Sequence, residues 1–290
     1  MGPLSVFELH KDKEMKRRLL IAGISALFTL NAFADTTSAL TREDMDKRNR
    51  EMLVKAGIEI PSTTEISIIS ANKYMNIKGI KQNENDAHMA MKMKEYLAMN
   101  EEQQKNGYVK DSEPRAKELM DLKHVAPYHQ KKYKGVLSSE STHIRASIDE
   151  LKLAYTFVGV PKEEMTTNIG VAPYGAYKSV KNGDDGDGWD GAVQFFDKNG
   201  VGSCAFTEHN RKLAHSGVEL IKELVTYDVD NKPSLVLVKG SKGAGFVYKI
   251  KWYDSTFTRE LECANPEFSQ QLRSDVLALA NRIESYQQPS

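Results

Sequence analysis

A short segment near the N-terminus most constrains what this chain can become. Lys16, Arg17 and Arg18 form a positive stretch, and Leu19 to Leu30 is an apolar run of about a dozen residues. Ala32-Phe33-Ala34 then offers small residues where a signal peptidase requires them. The pattern predicts a cleavable signal peptide over residues 1–34, so that the mature chain begins at Asp35 and folds in the periplasm or outside the cell.

The apolar run is shorter than the roughly 20 apolar residues that an ordinary membrane-spanning helix needs. No other stretch of the chain has the required length. We therefore expect no membrane span, whereas peripheral contact with a membrane stays open. Residues 1–14 lie upstream of the positive stretch, and Met15 is an alternative start of translation.

The balance of charges argues against a nucleic-acid partner. Lys and Arg together number 40, as do Asp and Glu, and the chain without residues 1–34 has 35 basic and 37 acidic residues. A protein that binds nucleic acid usually presents a basic field that attracts phosphates, which this composition does not supply. The apolar content of 40% is typical of a globular protein.

Hydrophobic periodicity predicts an α+β fold with two unlike halves. Residues 35–140 form a predicted helical, partly extended region whose helices are polar for their length. Helical spacing continues into the next segment through Ile144, Ile148, Leu151 and Tyr155. We therefore expect a mostly helical N-terminal half that relies on the C-terminal half or on a partner to bury its apolar side.

Residues 141–290 are expected to form a separate α+β domain with an antiparallel sheet. Asn199-Gly200 between two apolar runs is a strong hairpin signal. Apolar residues at positions 246, 248, 250 and 252 alternate with Lys249 and Lys251. This alternation predicts one apolar and one wetted face. Pro266 opens a predicted C-terminal helix with one apolar stripe, which should pack on the apolar face of the sheet. The stripe consists of Phe268, Leu272, Val276, Leu279 and Ile283.

Cys204 and Cys263 are the only cysteines, and both fall in predicted strands. An isolated pair of cysteines in an exported chain favours one disulfide bond. Two separate buried thiols are the alternative, and a thiol nucleophile at Cys204 is a further one.

The most acidic loop of the chain spans residues 182–190. Its carboxylates on a glycine-rich backbone make it a candidate Ca²⁺ site, and they belong to Asp184, Asp185, Asp187 and Asp190. The spacing departs from the EF-hand pattern, because the twelfth position counted from Asp185 is Phe196 instead of an acidic residue. A solvated turn before the next strand is the alternative, and we identify no other metal site or cofactor.

The chain has one dense basic stretch, between residues 124 and 134. Its candidate contacts with an anionic partner are His129, Lys131, Lys132 and Lys134. Such a stretch suits anionic lipid headgroups, a glycan or an acidic protein, and a solvated linker is the alternative.

The sequence contains no phosphate-binding loop, nucleophile elbow or zinc-protease motif. The layout is similar to that of envelope accessory proteins of Gram-negative bacteria, including periplasmic parts of secretion machines, although no residue motif carries this likeness. We therefore expect a non-enzymatic binding or structural component of an envelope assembly, with other envelope or secreted proteins as its partners. The alternatives are a periplasmic hydrolase or transferase without a recognisable motif, and a module that binds calcium or a small ligand.

Overall fold

The computed structural model of the protein describes residues 66–74, 84–133 and 143–287. All of them belong to one unit of the chain, Val54–Ser290. The predicted signal peptide and its cleavage site lie outside the described residues. No helix in the described ranges combines the length and the apolarity needed to cross a membrane.

Ten strands and three complete α-helices make up the described architecture, and residues 71–74 are also helical. The strands are β1 (Ile66–Ile69), β2 (Val109–Lys110), β3 (Thr167–Lys178), β4 (Gly188–Lys198), β5 (Gly202–Asn210), β6 (Val218–Ile221), β7 (Tyr227–Val229), β8 (Lys232–Ser241), β9 (Gly245–Tyr253) and β10 (Phe257–Asn265). The helices are α1 (Glu84–Asn106), α2 (Arg115–Tyr133) and α3 (Gln270–Gln287). Short 3₁₀ turns occur at Ile148–Glu150, Lys162–Glu164, Val180–Asn182 and Lys222–Leu224.

The main sheet consists of two antiparallel meanders placed side by side. Strands β3, β4 and β5 form one meander, and strands β8, β9 and β10 form the other. The two meanders meet where β5 pairs antiparallel with β10. The predicted turn at Asn199-Gly200 connects β4 to β5, and Gly200 has the positive φ of +78° that such a tight turn requires.

The outer edge of β8 is covered in three pieces. The antiparallel strand β7 pairs with its beginning, and the parallel strand β2 pairs with its end. Between them, the buried side-chain amide of Gln103 in α1 donates to the Val236 carbonyl at 2.9 Å and accepts from the Val238 amide at 2.6 Å. The glutamine thus bonds to this edge as a paired strand would, so that the buried main-chain groups are satisfied.

One helix covers each face of the main sheet. Helix α3 packs its apolar stripe from Leu272 to Ile283 on the face that carries Phe206, Tyr248, Ile250 and Trp252, as the periodicity of the sequence predicts. The helix begins at Gln270 and not at Pro266, and Phe268 packs on the same core from the segment before it. Helix α2 lies on the opposite face, against β5, β9 and β10. Its inward side consists of the buried residues Ala116, Leu119, Leu122 and Ala126. The face that we expected to be wetted is therefore also covered.

A second, two-stranded sheet is formed by β1 and β6, which run parallel. It packs with α1 around a small apolar cluster that includes Ile69, Tyr74, Met93 and Ile221. A two-stranded sheet is marginal by itself, so that this cluster and α1 supply the burial that stabilises it.

The prediction of an α+β fold with a mostly helical N-terminal half is wrong. The described protein is mostly a sheet-rich C-terminal domain with few helices, and the described part of the N-terminal half contributes the strands β1 and β2 as well as the helices α1 and α2. Residues 144–155, which have helical spacing, form an irregular segment. Its backbone pairs with the sheet through Arg145, which exchanges two hydrogen bonds with Val171 at 2.7 and 2.8 Å. Pairing with a sheet edge satisfies this backbone in place of the internal hydrogen bonds of a helix.

Candidate functional site

The two cysteines lie directly opposite each other at the seam between the meanders. Cys204 of β5 and Cys263 of β10 are register partners, with their Cα atoms 4.1 Å apart and their sulfur atoms at disulfide distance. Both side chains are buried in the core under α3. The seam therefore joins the two meanders by strand pairing and by the cysteine pair at the same position.

The four aspartates proposed for calcium bond to four different groups. Asp184 accepts from the Ser179 amide at 2.9 Å, Asp185 pairs with His215 at 3.0 Å, Asp187 pairs with Lys152, and Asp190 accepts from the Ala176 amide at 2.7 Å. Among the described residues, no group of three or more His, Cys, Asp or Glu side chains is placed to hold a metal ion. The structure thus does not bring these carboxylates together around one point.

Asp190 stabilises a bulge in the edge strand β3. Its buried carboxylate lies 3.3 Å from Nε2 of His209 and 3.5 Å from Nζ of Lys178. The bulge requires Gly175, because this residue has a φ of +83° and a Cβ there would lie 1.8 Å from Oδ1 of Asp190. The arrangement is an Asp–His pair at the end of the sheet, with the edge of the Tyr174 ring against the imidazole.

A buried ion-pair network lies between α3 and the sheet. Arg259 donates to Glu208 at 2.7 Å, to Asp254 at 2.5 Å and to Glu284 of α3 at 3.1 Å. Glu284 also accepts from the indole of Trp252 at 2.6 Å. Since one helix residue and several strand residues share these bonds, the network attaches the C-terminal part of α3 to the sheet.

Glu208 is the least satisfied member of this network. One carboxylate oxygen bonds to Arg259, whereas Oε1 is buried and has no hydrogen-bond partner in the described part of the chain. Burial raises the pKa of the Glu208 carboxyl above its ordinary 4.5, against the opposing attraction of Arg259. A carboxyl in this position binds a proton more readily than an exposed one.

A second network lies on the opposite face, beneath α2. Lys249 of β9 lies 2.6 Å from Glu260 and 3.0 Å from Glu262, and Arg115 of α2 donates to Glu262 at 2.6 Å. Burial opposes the charge of Lys249, but the two glutamates outweigh it and raise the pKa of Lys249 above its ordinary 10.5. This network attaches the first turn of α2 to the sheet.

Sequence reasoning missed both networks. The alternation of Lys249 and Lys251 with apolar residues indicates charges on one face of β9, but it does not show that α2 covers that face. Arg259, Glu208 and Glu284 belong to three elements, and the separations of 51 residues between Arg259 and Glu208 and 25 between Arg259 and Glu284 leave no local signal.

The side chains of the predicted basic stretch point in different directions in the structure. His129 is half-buried, with its ring 6.4 Å from that of His143, and burial together with Lys132 lowers its pKa below 6.5. Lys131 and Lys132 are exposed on the outward side of α2, while Lys134 lies outside the described residues. The histidine therefore turns towards the protein, and two of the lysines point away from it.

The outward side of α2 forms a continuous surface, which we call the basic face. We define it by four exposed residues, Lys117, Tyr128, Lys131 and Lys132. Tyr128 is 63% exposed, and Nζ of Lys132 lies 5.9 Å from the centre of its ring. Asp121 and His124 are also exposed on this side, so that lysines outnumber carboxylates on the outward side of the helix.

An open depression of about 340 Å³ lies at the end of α3. Its lining consists of Pro161, Glu163, Glu164, Arg282, Ser285 and Tyr286. Glu164 bonds to Arg282 at 2.7 Å and to Lys198 at 2.9 Å, so that its carboxylate is already occupied by two cations. Beside this ion pair, the lining offers a ligand the Glu163 carboxylate and the side chains of Ser285 and Tyr286.

Comparison with known proteins identifies no relative of this chain. No protein family model matches the chain, and no curated protein and no solved structure shows significant similarity to it.

Proposed function

We propose that this protein is exported and serves as a non-enzymatic binding component of an envelope assembly. The observation that carries the proposal is the basic face of α2, where three lysines and a largely exposed tyrosine lie on one side of a helix whose other side is anchored to the sheet. A rigidly held helix can present such groups at low entropic cost.

Two further observations support export. The segment from Lys16 to Ala34 has the features of a signal peptide. The two cysteines lie at disulfide distance, which is compatible with an extracytoplasmic compartment where disulfide bonds form and persist. The proposed role also agrees with the positions of the buried charges, because the ion pair of Arg259 with Glu284 attaches α3 to the sheet and that of Arg115 with Glu262 attaches α2.

The test is site-specific photocrosslinking in intact envelopes of cells that express the full chain. A photoreactive residue replaces Tyr128 on the basic face or, as the matched control, Val180, which is exposed to nearly the same extent at 61%. We expect a crosslinked adduct from position 128 and none from position 180.

The proposal fails if position 128 gives no adduct in the envelope. It also fails if positions 128 and 180 give the same adducts in equal yield, since crosslinking would then reflect exposure alone. Retention of the chain in the cytoplasm would remove the premise of export.

A further inference from the structure

The basic face extends along most of the length of α2. Lys117, Tyr128 and Lys131 are separated by 11 and 3 residues, which places them on one side of a helix with 3.6 residues per turn. At 1.5 Å per residue, Lys117 and Lys131 lie about 21 Å apart along the axis of α2. A convex row of this kind fits an extended, flat surface better than a pocket or a groove.

The type of cation on the basic face distinguishes between two partners with a flat surface, another protein and a layer of lipid headgroups. All the cations of the basic face are lysines, and Arg115, the arginine of this helix, is turned inward to Glu262. Protein–protein interfaces are enriched in arginine and depleted of lysine, because the planar guanidinium pairs with a carboxylate through two hydrogen bonds. A layer of anionic headgroups attracts lysines by charge alone, and each lysine near such a surface strengthens binding by about fivefold.

The exposed aromatic residue points the same way. Tyr128 is 63% exposed, and Val125 on the adjacent side of α2 is 40% exposed. The apolar ring and polar hydroxyl of tyrosine suit the boundary between water and headgroups, where this residue is enriched. Lysines around such a ring can keep their ammonium groups among the phosphates while the ring contacts the boundary.

We infer that the basic face of α2 binds the anionic phospholipid headgroups of a membrane surface and holds the protein there peripherally. This inference rests on the proposed function and names the partner of the same surface. Lys117, Lys131 and Lys132 supply the attraction, and Tyr128 supplies the interfacial contact. Asp121 lies among them and reduces the net charge, so that binding depends on the density of anionic lipid and weakens as salt increases.

The experiment measures flotation of the purified exported protein with lipid vesicles. One set of vesicles contains phosphatidylethanolamine and phosphatidylglycerol, and a neutral set contains phosphatidylcholine in place of phosphatidylglycerol. We expect binding to the anionic set at low salt, loss of that binding at high salt, and none to the neutral set. The variant K131Q/K132Q should bind about 25-fold more weakly, since it removes two lysines of about fivefold each.

The matched control is K181Q/K212Q, which removes the same charge from two exposed lysines. It should bind as the wild type does, because Lys181 follows the end of β3 and Lys212 follows the end of β5, outside the basic face of α2. Thermal unfolding should be unchanged in both variants, since all four side chains are exposed. Equal weakening by the two variants would overturn the inference, because binding would then follow net charge.

The two proposals fail in distinguishable ways. If vesicles do not bind but position 128 crosslinks to an envelope protein, the lipid inference is overturned and the proposed function stands. If vesicles do not bind and position 128 gives no adduct, both are overturned. Binding to anionic vesicles that Y128A and K131Q/K132Q each weaken supports the lipid inference.

Discussion

Removing the link between Cys204 and Cys263 should lower the free energy of unfolding by about 4 kcal/mol. The two residues are 59 positions apart, and the chain-entropy model gives this magnitude for a closed loop of that length. Against a total stability of about 5–15 kcal/mol, such a loss would be large. The link also lies at the only pairing between the two meanders of the main sheet in the described chain, where β5 meets β10.

The assay compares three forms of the protein by urea unfolding, followed through tryptophan fluorescence. The forms are the oxidised wild type, the wild type reduced with dithiothreitol, and C204A/C263A. Alanine is preferred to serine because both sites are buried, and an unpartnered hydroxyl there would add its own cost. Trp189 and Trp252 are buried and therefore report on the loss of tertiary structure.

We expect the reduced wild type and C204A/C263A to lose similar amounts of stability. Each single alanine variant should resemble the double variant, because one cysteine suffices to prevent the bond. Equal stability of the oxidised and reduced wild type would refute the reasoning, as would labelling of both cysteines as free thiols in the native protein.

Three further predictions concern α3, the network beneath α2 and export. Leu279→Ala removes a fully buried side chain and should lower the free energy of unfolding by about 2–5 kcal/mol, as measured in urea. Leu277→Ala truncates a partly buried side chain and should lower it by less. Equal losses in the two variants would contradict the packing of α3. Burial opposes the charge of Glu262, but Arg115 and Lys249 outweigh it and lower its pKa below 4.5. Stability from this group is therefore present above pH 4.5 and lost as the pH falls. E262Q should be less stable than the wild type by on the order of 3 kcal/mol at neutral pH, and the two should converge on acidification; parallel pH curves would contradict this. N-terminal sequencing of the protein from the periplasmic fraction should begin at Asp35, and a chain that retains Met15 would show that cleavage does not occur.

The parts of the fold that the sequence predicts are those with a local physical cause. Asn199-Gly200 favours a tight turn by its backbone preferences, and the stripe from Leu272 to Ile283 favours an amphipathic helix by its spacing. The segment from Ile144 to Tyr155 shows the limit of this reasoning. Its spacing fits a helix, yet hydrogen bonds to β3 and β4 satisfy its backbone instead. Periodicity indicates which side chains are buried, but it does not show which partner the backbone finds.

The sequence also predicts the basic residues of α2 but not which of them face solvent. The sequence alone shows that residues 124–134 are basic, but not which of their side chains point to solvent and which to the protein. The packing of Leu119 and Leu122 against the sheet turns Lys131 and Lys132 outward and leaves His129 facing His143. A helix can expose only the side that its tertiary contacts leave uncovered, so that the composition of the basic face follows from where α2 is docked.

The sequence by itself predicts a signal peptide, and it determined the amphipathic C-terminal helix and the presence of a single cysteine pair, because each depends on neighbouring residues or on composition. Only the tertiary structure decided that α2 covers the second face of the sheet. It also brought Glu208, Arg259 and Glu284 into one network and selected the lysines that face outward. These features join elements that are distant along the chain, and their free energies arise from burial and charge pairing that exist only once the elements have packed.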